Sequence, residues 1–266
     1  FSYRVQAELA NKPKLIDGYG EIKITDFFSI TAGQFKIPFS LENLSSANKL
    51  EMIDYSQVVE AMVARGKDVI GNQNGRDIGI QVSGTFLKLK GQPFAEYRVG
   101  LFNGSGINIA DTANKAKDIV CRLNFTPVKG LSFGGGFYNG WGKAIKPDVA
   151  GSSQVRNRYG VEVSYVTSRF SLKGEYISGQ DGRTNRSGWY LQSGYFMIPQ
   201  KLQVLGKYDV YDSNTSSGNN ISTNYVFGCN YNFNNWSRLQ AFYTIREEEV
   251  APVDNNYLSI QFQIGF

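Results

Sequence analysis

Residues 256–266 read NYLSIQFQIGF, and the segment before them, residues 237–247, reads SRLQAFYTIRE. In both segments apolar and polar residues alternate with a period of two, which is the spacing of the two faces of a β-strand and not of a helix. The last segment carries only Ser, Gln and Gly between its apolar positions from Leu258 onward. The pattern therefore predicts strands with one apolar face and one polar face.

The same alternation recurs along the chain and sets the expected fold. Most segments have about 10 to 12 residues, the length with which a tilted strand crosses a bilayer. The pattern predicts fourteen strands, near residues 1–11, 15–25, 29–39, 76–87, 93–102, 117–126, 130–141, 156–166, 169–178, 187–197, 201–211, 222–233, 237–247 and 256–266.

The connections between these strands alternate in length. Short turns separate the two strands of each hairpin on one side, whereas longer polar links occur at 40–75, 103–116, 142–155, 179–186, 212–221 and 248–255. The link at 12–14 is short where a long one is expected. Short turns on one side and long loops on the other are typical of outer-membrane barrels, with the short turns in the periplasm. An even number of strands also allows the first strand to pair with the last.

Two all-β architectures fit the alternation, a soluble sandwich and a membrane barrel. Aromatic residues make up 14% of the chain, with 16 Tyr and 18 Phe. Large rings on the apolar face of every strand would overfill a shared sandwich core, whereas in a barrel that face meets lipid. We therefore predict an all-β, transmembrane antiparallel β-barrel, formed by residues 1–266 as a single domain, integral to the outer membrane of a Gram-negative bacterium.

Composition excludes several classes of site. The chain has no His, so a Ser-His-Asp triad and a His-ligated zinc site are excluded. The two cysteines, Cys121 and Cys229, fall on outward-facing positions of distant strands and are predicted to be free. We expect no cofactor and no metal site. The sequence begins at Phe1, which fits a mature, processed chain or one that lacks part of its N-terminus.

The polar faces of the predicted strands carry basic and acidic residues in nearly equal numbers. In an open barrel they line the pore, whereas in a plugged barrel they form a salt-bridged filling; the sequence leaves both interpretations open. The candidate pore-lining residues from the strands are Lys36, Arg98, Arg122, Arg158, Lys173, Lys207, Arg238, Arg246, Asp77, Glu96 and Asp118.

The link at 40–75 is too long for a simple connection. Met52, Val58, Val59, Met62 and Val63 occur in it at roughly helical spacing. We expect this loop to fold into the barrel and narrow it. Four basic residues would then lie near the constriction and act as a modest anion filter, namely Lys49, Arg65, Lys67 and Arg76, with Glu51, Asp54, Glu60 and Asp68 against them. The alternative is an extracellular cap that packs its apolar stripe against another subunit.

Residues 32–42, AGQFKIPFSLE, resemble a hallmark of the phosphate-selective porin O and P family, in the form common in Bacteroidetes. Residues 17–21, DGYGE, and 76–84, RDIGIQVSG, resemble the strands on either side of it, and the similarity continues to about Gly140. The resemblance implies an outer-membrane porin. The chain departs from the family in two ways: members usually have more strands, and residues 54–56 read DYS where an acidic-basic-Ser triplet is expected.

Three functions are compatible with these features. The favoured one is a porin-like channel for passive diffusion of small polar or anionic solutes, with phosphate as one candidate. The alternative is a plugged or narrow accessory barrel that serves as a structural subunit of a larger outer-membrane complex. A barrel enzyme, such as a phospholipase or a protease, ranks last, because such enzymes depend on His and this chain has none.

The expected partners follow from the outward faces and from the C-terminal strand. They are outer-membrane lipid and other outer-membrane proteins or a second copy of the chain, but not nucleic acid. The barrel-assembly machinery is expected to read the C-terminal signal formed by Phe262, Ile264 and Phe266.

Overall fold

The computed structural model describes residues 1–10, 13–89, 91–109, 116–143, 153–250 and 253–265. Almost all regular structure is β. The strands are β1 (Ser2–Glu8), β2 (Lys14–Thr25), β3 (Phe28–Lys36), β4 (Arg76–Leu89), β5 (Gln92–Phe102), β6 (Asp118–Val128), β7 (Leu131–Asn139), β8 (Trp141–Lys143), β9 (Ser153–Val166), β10 (Phe170–Asp181), β11 (Thr184–Ile198), β12 (Leu202–Asp212), β13 (Ile221–Asn232), β14 (Ser237–Glu248) and β15 (Tyr257–Ile264).

The strands form an antiparallel sheet in which neighbours in sequence are neighbours in space. The order runs from β1 to β15, and only the three-residue β8 lies off this path, paired with the start of β9. The fourteen strands that remain match the fourteen segments of the sequence pattern. The fold is an outer-membrane antiparallel β-barrel, as the alternation predicted.

Burial along the strands follows the two faces. In β11 the inward residues Tyr190 and Gln192 are buried, whereas Trp189, Leu191 and Tyr195 between and beyond them are exposed on the outside. The exposed fraction of Ile260 on β15 reaches 65%. In a soluble protein so many exposed large apolar side chains would be anomalous. On a membrane barrel they form the lipid-facing surface.

One expectation about the connections needs correction. The link predicted at 179–186 is a tight hairpin, because β10 and β11 continue until Asp181 pairs with Thr184 and leave only residues 182 and 183 in the turn. Gly182 has φ +59, a backbone conformation that a glycine adopts without strain. The expected pairing of β1 with β15 is not among the strand pairings of the described residues.

Three short helical segments interrupt the connection between β3 and β4. They are α1 (Leu41–Leu44), a 3₁₀ turn (Ala47–Lys49) and α2 (Gln57–Met62). Ser40 caps α1 by accepting a hydrogen bond from the Asn43 amide at 3.2 Å. In the described part of the chain, no helix has both the length and the apolar character needed to cross a membrane.

Candidate functional site

The connection between β3 and β4, residues 37–75, lies against the inner face of the sheet and is called the inner loop below. The Leu41 and Glu42 amides donate to the Glu175 carboxylate of β10 at 2.9 and 2.7 Å. Arg158 of β9 donates to the Met62 carbonyl at 2.9 Å. These contacts join the loop to side chains that point into the barrel, so the loop occupies part of the lumen.

A buried ion pair holds the end of α2 in place. Arg156 of β9 contacts Asp68 of the inner loop at 2.7 Å, and both side chains are almost fully buried. Arg158 lies 3.9 Å from the same carboxylate and pairs with Asp181 at 2.6 Å. The Ala64 amide also donates to Asp68 at 2.8 Å. Since all these charges are paired, their burial is tolerated and fixes one position of the loop.

A second set of contacts holds the inner loop around Glu51, nearer the short-turn end of the barrel. Its carboxylate accepts hydrogen bonds from Lys173 at 2.8 Å, Gln192 at 2.8 Å and Gln203 at 2.9 Å. One residue earlier, the Leu50 carbonyl accepts from Arg238 at 2.6 Å. Arg238 is the second residue of β14, so the loop descends almost to the short-turn end of the barrel before it returns.

Apolar contacts also pack the inner loop against one side of the barrel wall. Val58 of α2 and Phe39 are almost fully buried. Both side chains pack against glycines of the barrel wall, where no larger residue would fit. A Cβ on Gly188 would lie 2.8 Å from the Val58 Cβ, and a Cβ on Gly136 would lie 2.9 Å from a Phe39 ring carbon. Gly136 belongs to the Gly triplet at 134–136, so that residue serves close packing.

Inward-facing apolar residues form a separate cluster nearer the short-turn end of the barrel. Leu205, Val226 and Phe242 point inward from β12, β13 and β14 and pack with Met52 of the inner loop. Phe242 interrupts the polar face of its strand in the sequence. Its contact with the loop gives the reason for that interruption.

Free space also remains on the other side of the inner loop, next to β1–β4 and β15. A cavity of about 720 Å³ lies there, and we call it the basic cavity. Its lining includes the cationic side chains Arg4, Lys36, Lys49, Arg65 and Arg76 and one carboxylate, that of Glu8.

Two further cavities adjoin the basic cavity. A cavity of about 190 Å³ shares Arg4 and Lys36 with it and adds Arg98. A mouth of about 530 Å³ at the short-turn end shares Asn48 and Gln263 with it. The shared lining residues make these spaces neighbours along the length of the barrel, so they outline one route past the loop.

Lys36 and Arg65 are the two cations of this route with neutral hydrogen-bond partners. Lys36 donates to the carbonyls of Asn43 and Ser45 at 2.7 and 2.5 Å. Arg65 donates to the Asn43 side-chain oxygen at 2.8 Å and lies over the Tyr55 ring, with 3.6 Å from its Cζ to the ring centroid. Burial lowers the pKa of Arg65, because its charge is partly removed from water.

The Nε of Arg65 is buried and has no hydrogen-bond partner among the described residues. By contrast, Arg76 forms a bidentate pair with Asp17 at 2.6 and 3.1 Å, and Arg4 lies 3.5 Å from the same carboxylate. Asp17 therefore offsets part of the charge of Arg4 and Arg76. Lys36 and Arg65 donate instead to neutral oxygens, and Lys49 adds a third cation to the lining.

The other candidates from the sequence are distributed over the barrel. Lys67, Lys207 and Arg246 line a fourth cavity, of about 310 Å³, which lies between the inner loop and β12–β15 and is called the outer pocket. Arg122 pairs with Glu162. Asp77 accepts from the Gly104 amide at 2.6 Å, and Asp118 accepts from the Trp141 amide at 3.0 Å and from the Tyr138 hydroxyl. Glu96 is exposed, between Thr85 and Asn124 in the register.

Sequence reasoning missed Asn43. This fully buried residue links Lys36 to Arg65, and its side-chain amide also donates to Ile37, Phe39 and Gly75 carbonyls. Nothing in the local sequence distinguishes it from a surface asparagine. In the C-terminal signal, Phe262 and Ile264 lie exposed on β15, and Phe266 is outside the described residues.

A family model described as "Phosphate-selective porin O and P" matches residues 1–266, the whole chain. The chain belongs to this family. Porins are channels for small solutes in the outer membrane and are not known as enzymes, so the chain is an integral outer-membrane porin. A search of curated proteins found no matching relative.

Solved structures agree on the fold. A loop-deletion mutant of OmpT, an outer membrane protein of Vibrio cholerae, superposes with a TM-score of 0.65 at 12% identity, over 99% of this chain and 85% of that one. An anion-selective porin from Comamonas acidovorans gives a TM-score of 0.62 at 14% identity, over 99% of this chain and 74% of that one. At these identities the likeness shows the porin barrel alone.

Proposed function

We propose that this porin conducts small anionic solutes by passive diffusion through the basic cavity, and that phosphate is among them. The observation that carries the proposal is the pair of cations, Lys36 and Arg65, whose hydrogen-bond acceptors are neutral oxygens. A passing anion adds a counter-charge that these neutral hydrogen-bond partners do not supply. The name of the matched family and the anion-selective porin of similar fold are consistent with it.

The inner loop acts as the constriction in this proposal. It closes the lumen against β9–β14 and leaves the route beside β1–β5, so every solute passes Lys36 and Arg65. Charged rings and clusters at such narrow points set ion preference in pores. A fixed cation at roughly 7 Å, in water, favours a permeating anion by about 0.6 kcal/mol and disfavours a permeating cation by the same amount, so the anion-to-cation preference is roughly sevenfold.

The test is single-channel recording in planar bilayers with a salt gradient. The native protein should give stable openings with an anion-leaning reversal potential. Lys36→Gln and Arg65→Gln should each reduce the anion-to-cation permeability ratio roughly sevenfold, and the double variant roughly fiftyfold. Arg65→Lys keeps the charge and should keep the preference.

A matched control is Lys129→Gln, which removes an exposed charge from the short turn between β6 and β7. It should leave the permeability ratio nearly unchanged. An unaltered ratio in the Lys36 and Arg65 double variant would refute the anion filter while keeping the channel. No openings from folded protein would favour the plugged accessory barrel, which no finding so far supports.

The partner expectations remain part of this proposal. The exposed apolar belt fits outer-membrane lipid or a second copy of the chain. Phe262 and Ile264, with Phe266, fit a C-terminal signal for the barrel-assembly machinery. Size measurement of the purified protein in detergent distinguishes a monomer from an oligomer.

A further inference from the structure

The outer pocket is separated from the basic cavity by the inner loop, and Tyr55 lines both spaces. Below the pocket, the cluster of Met52, Leu205, Val226 and Phe242 is buried, and Val226 lines the pocket as well. The apolar cluster therefore closes the lumen under the pocket. A solute that enters from the long-loop side meets a blind end here, which suits binding and not passage.

Three polar side chains cross the wall of this pocket in one row. Asp209 of β12 pairs in register with Asn224 of β13, and Asn224 pairs with Arg246 of β14. All three line the pocket. The row thus places a carboxylate at one end, an amide in the middle and a guanidinium at the other end, with the outer backbones about 10 Å apart.

Asp209 has unused hydrogen-bonding capacity. Its side chain is 1% exposed, and one carboxylate oxygen accepts from the Gln57 amide at 2.9 Å. The other oxygen, Oδ1, is buried without a hydrogen-bond partner among the described residues. A buried carboxylate oxygen without a donor is costly, so a donor supplied by a solute in the pocket would be favourable.

The far end of the row is prepared for the opposite charge. The Arg246 guanidinium lies over the Tyr257 ring, with 4.7 Å from its Cζ to the ring centroid, which holds the guanidinium beside the pocket. Lys207, a buried cation of the pocket, already donates to the Asp54 carbonyl at 3.0 Å and to Ser56 at 3.4 Å. Arg246 is thus the cation of this row that is placed to receive an anion.

We propose that the outer pocket binds a short zwitterion of dipeptide length, with its ammonium group on Asp209 Oδ1 and its carboxylate on Arg246. An extended dipeptide spans about 7 Å, and a single amino acid spans about half of that length. The outer backbones of the row are about 10 Å apart, and the side chains that reach into the pocket shorten this distance to the length of a dipeptide. The cavity of about 310 Å³ accommodates such a ligand. Binding here does not depend on anion conduction through the basic cavity.

The experiment is a saturation-transfer NMR titration of the full chain in detergent, with glycylglycine as the ligand. Saturable binding should require both charged ends. N-acetylglycylglycine, which lacks the ammonium group, and glycylglycine amide, which lacks the carboxylate, should each bind at least tenfold more weakly. Asp209→Asn and Arg246→Gln should weaken glycylglycine binding by a similar factor.

Asp209→Asn keeps an oxygen that can accept from the Gln57 amide, so the loop contact is retained. Asp212→Asn is the matched control, since it makes the same change three residues along β12 at a side chain that does not line the pocket. It should bind like the native protein. Absence of saturable binding by folded protein, equal binding of a blocked peptide, or native-like binding by Asp209→Asn would overturn the proposal.

Discussion

The anchor at Glu51 allows the position of the inner loop to be tested directly. Glu51→Ala removes three hydrogen bonds to a carboxylate whose side chain is 15% exposed, one of them an ion pair with Lys173, which is 23% exposed. At about 1.5 kcal/mol each for hydrogen bonds to a charged group, the simple sum is about 4.5 kcal/mol. Water that enters the lumen solvates the released partners, so we expect a loss of about 3 kcal/mol.

A loss of about 3 kcal/mol lowers the ratio of the bound to the released conformation of this part of the inner loop by roughly 150-fold. Glu51→Ala should therefore give larger and noisier single-channel openings than the native protein. Glu51→Gln keeps an acceptor oxygen and should lie between the two. A double-mutant cycle with Lys173→Met, read out by urea-induced unfolding in vesicles, isolates the ion pair.

The reasoning has a clear point of failure. The main-chain carbonyl of Glu51 accepts from Asn230 at 2.9 Å and from Gln240 at 3.2 Å, and these two contacts survive the substitution. If Glu51→Ala folds and shows native conductance, native noise and native resistance to urea, the main-chain contacts alone seat the loop. The assigned role of the carboxylate would then be wrong.

Two other substitutions test how α2 packs inside the barrel. Gly188→Val introduces a Cβ 2.8 Å from that of Val58 and should displace α2, with a stability loss of about 1–3 kcal/mol in urea unfolding and altered conductance. Burial raises the pKa of Glu60, so its contribution to stability is complete below the ordinary pKa of Glu and is lost as the pH rises through the raised value. Glu60→Gln should therefore stabilise the protein at neutral pH and remove that part of the pH dependence, measured by urea unfolding across the pH range.

Controls for these two variants come from the same chain. Gly218→Val adds a Cβ that meets nothing within 4 Å and should leave stability and conductance nearly unchanged. Glu248→Gln changes an exposed carboxylate and should leave the pH profile as it is. Equal effects of Gly188→Val and Gly218→Val would contradict the packing argument, and an unchanged pH profile in Glu60→Gln would contradict the burial argument.

The alternation of side chains was enough to predict the strands, because the two-residue period is a local property of an extended chain. It placed Ile260 outward and Gln240 inward without any knowledge of their neighbours. The same local rule failed at 179–186, where polar residues indicated a loop. There the two strands simply extend farther from the membrane region, and a polar sequence does not distinguish an extended hairpin from a link.

The sequence by itself determined the barrel, its two faces and the presence of a long loop between β3 and β4. It also indicated that Lys36 and Arg65 carry charge near that loop. Only the tertiary structure decided which half of the lumen the loop fills. That choice depends on contacts between residues more than a hundred positions apart, such as the Glu42 amide with Glu175 and Glu51 with Gln203. Such pairings are fixed by three-dimensional packing, and no local pattern encodes them.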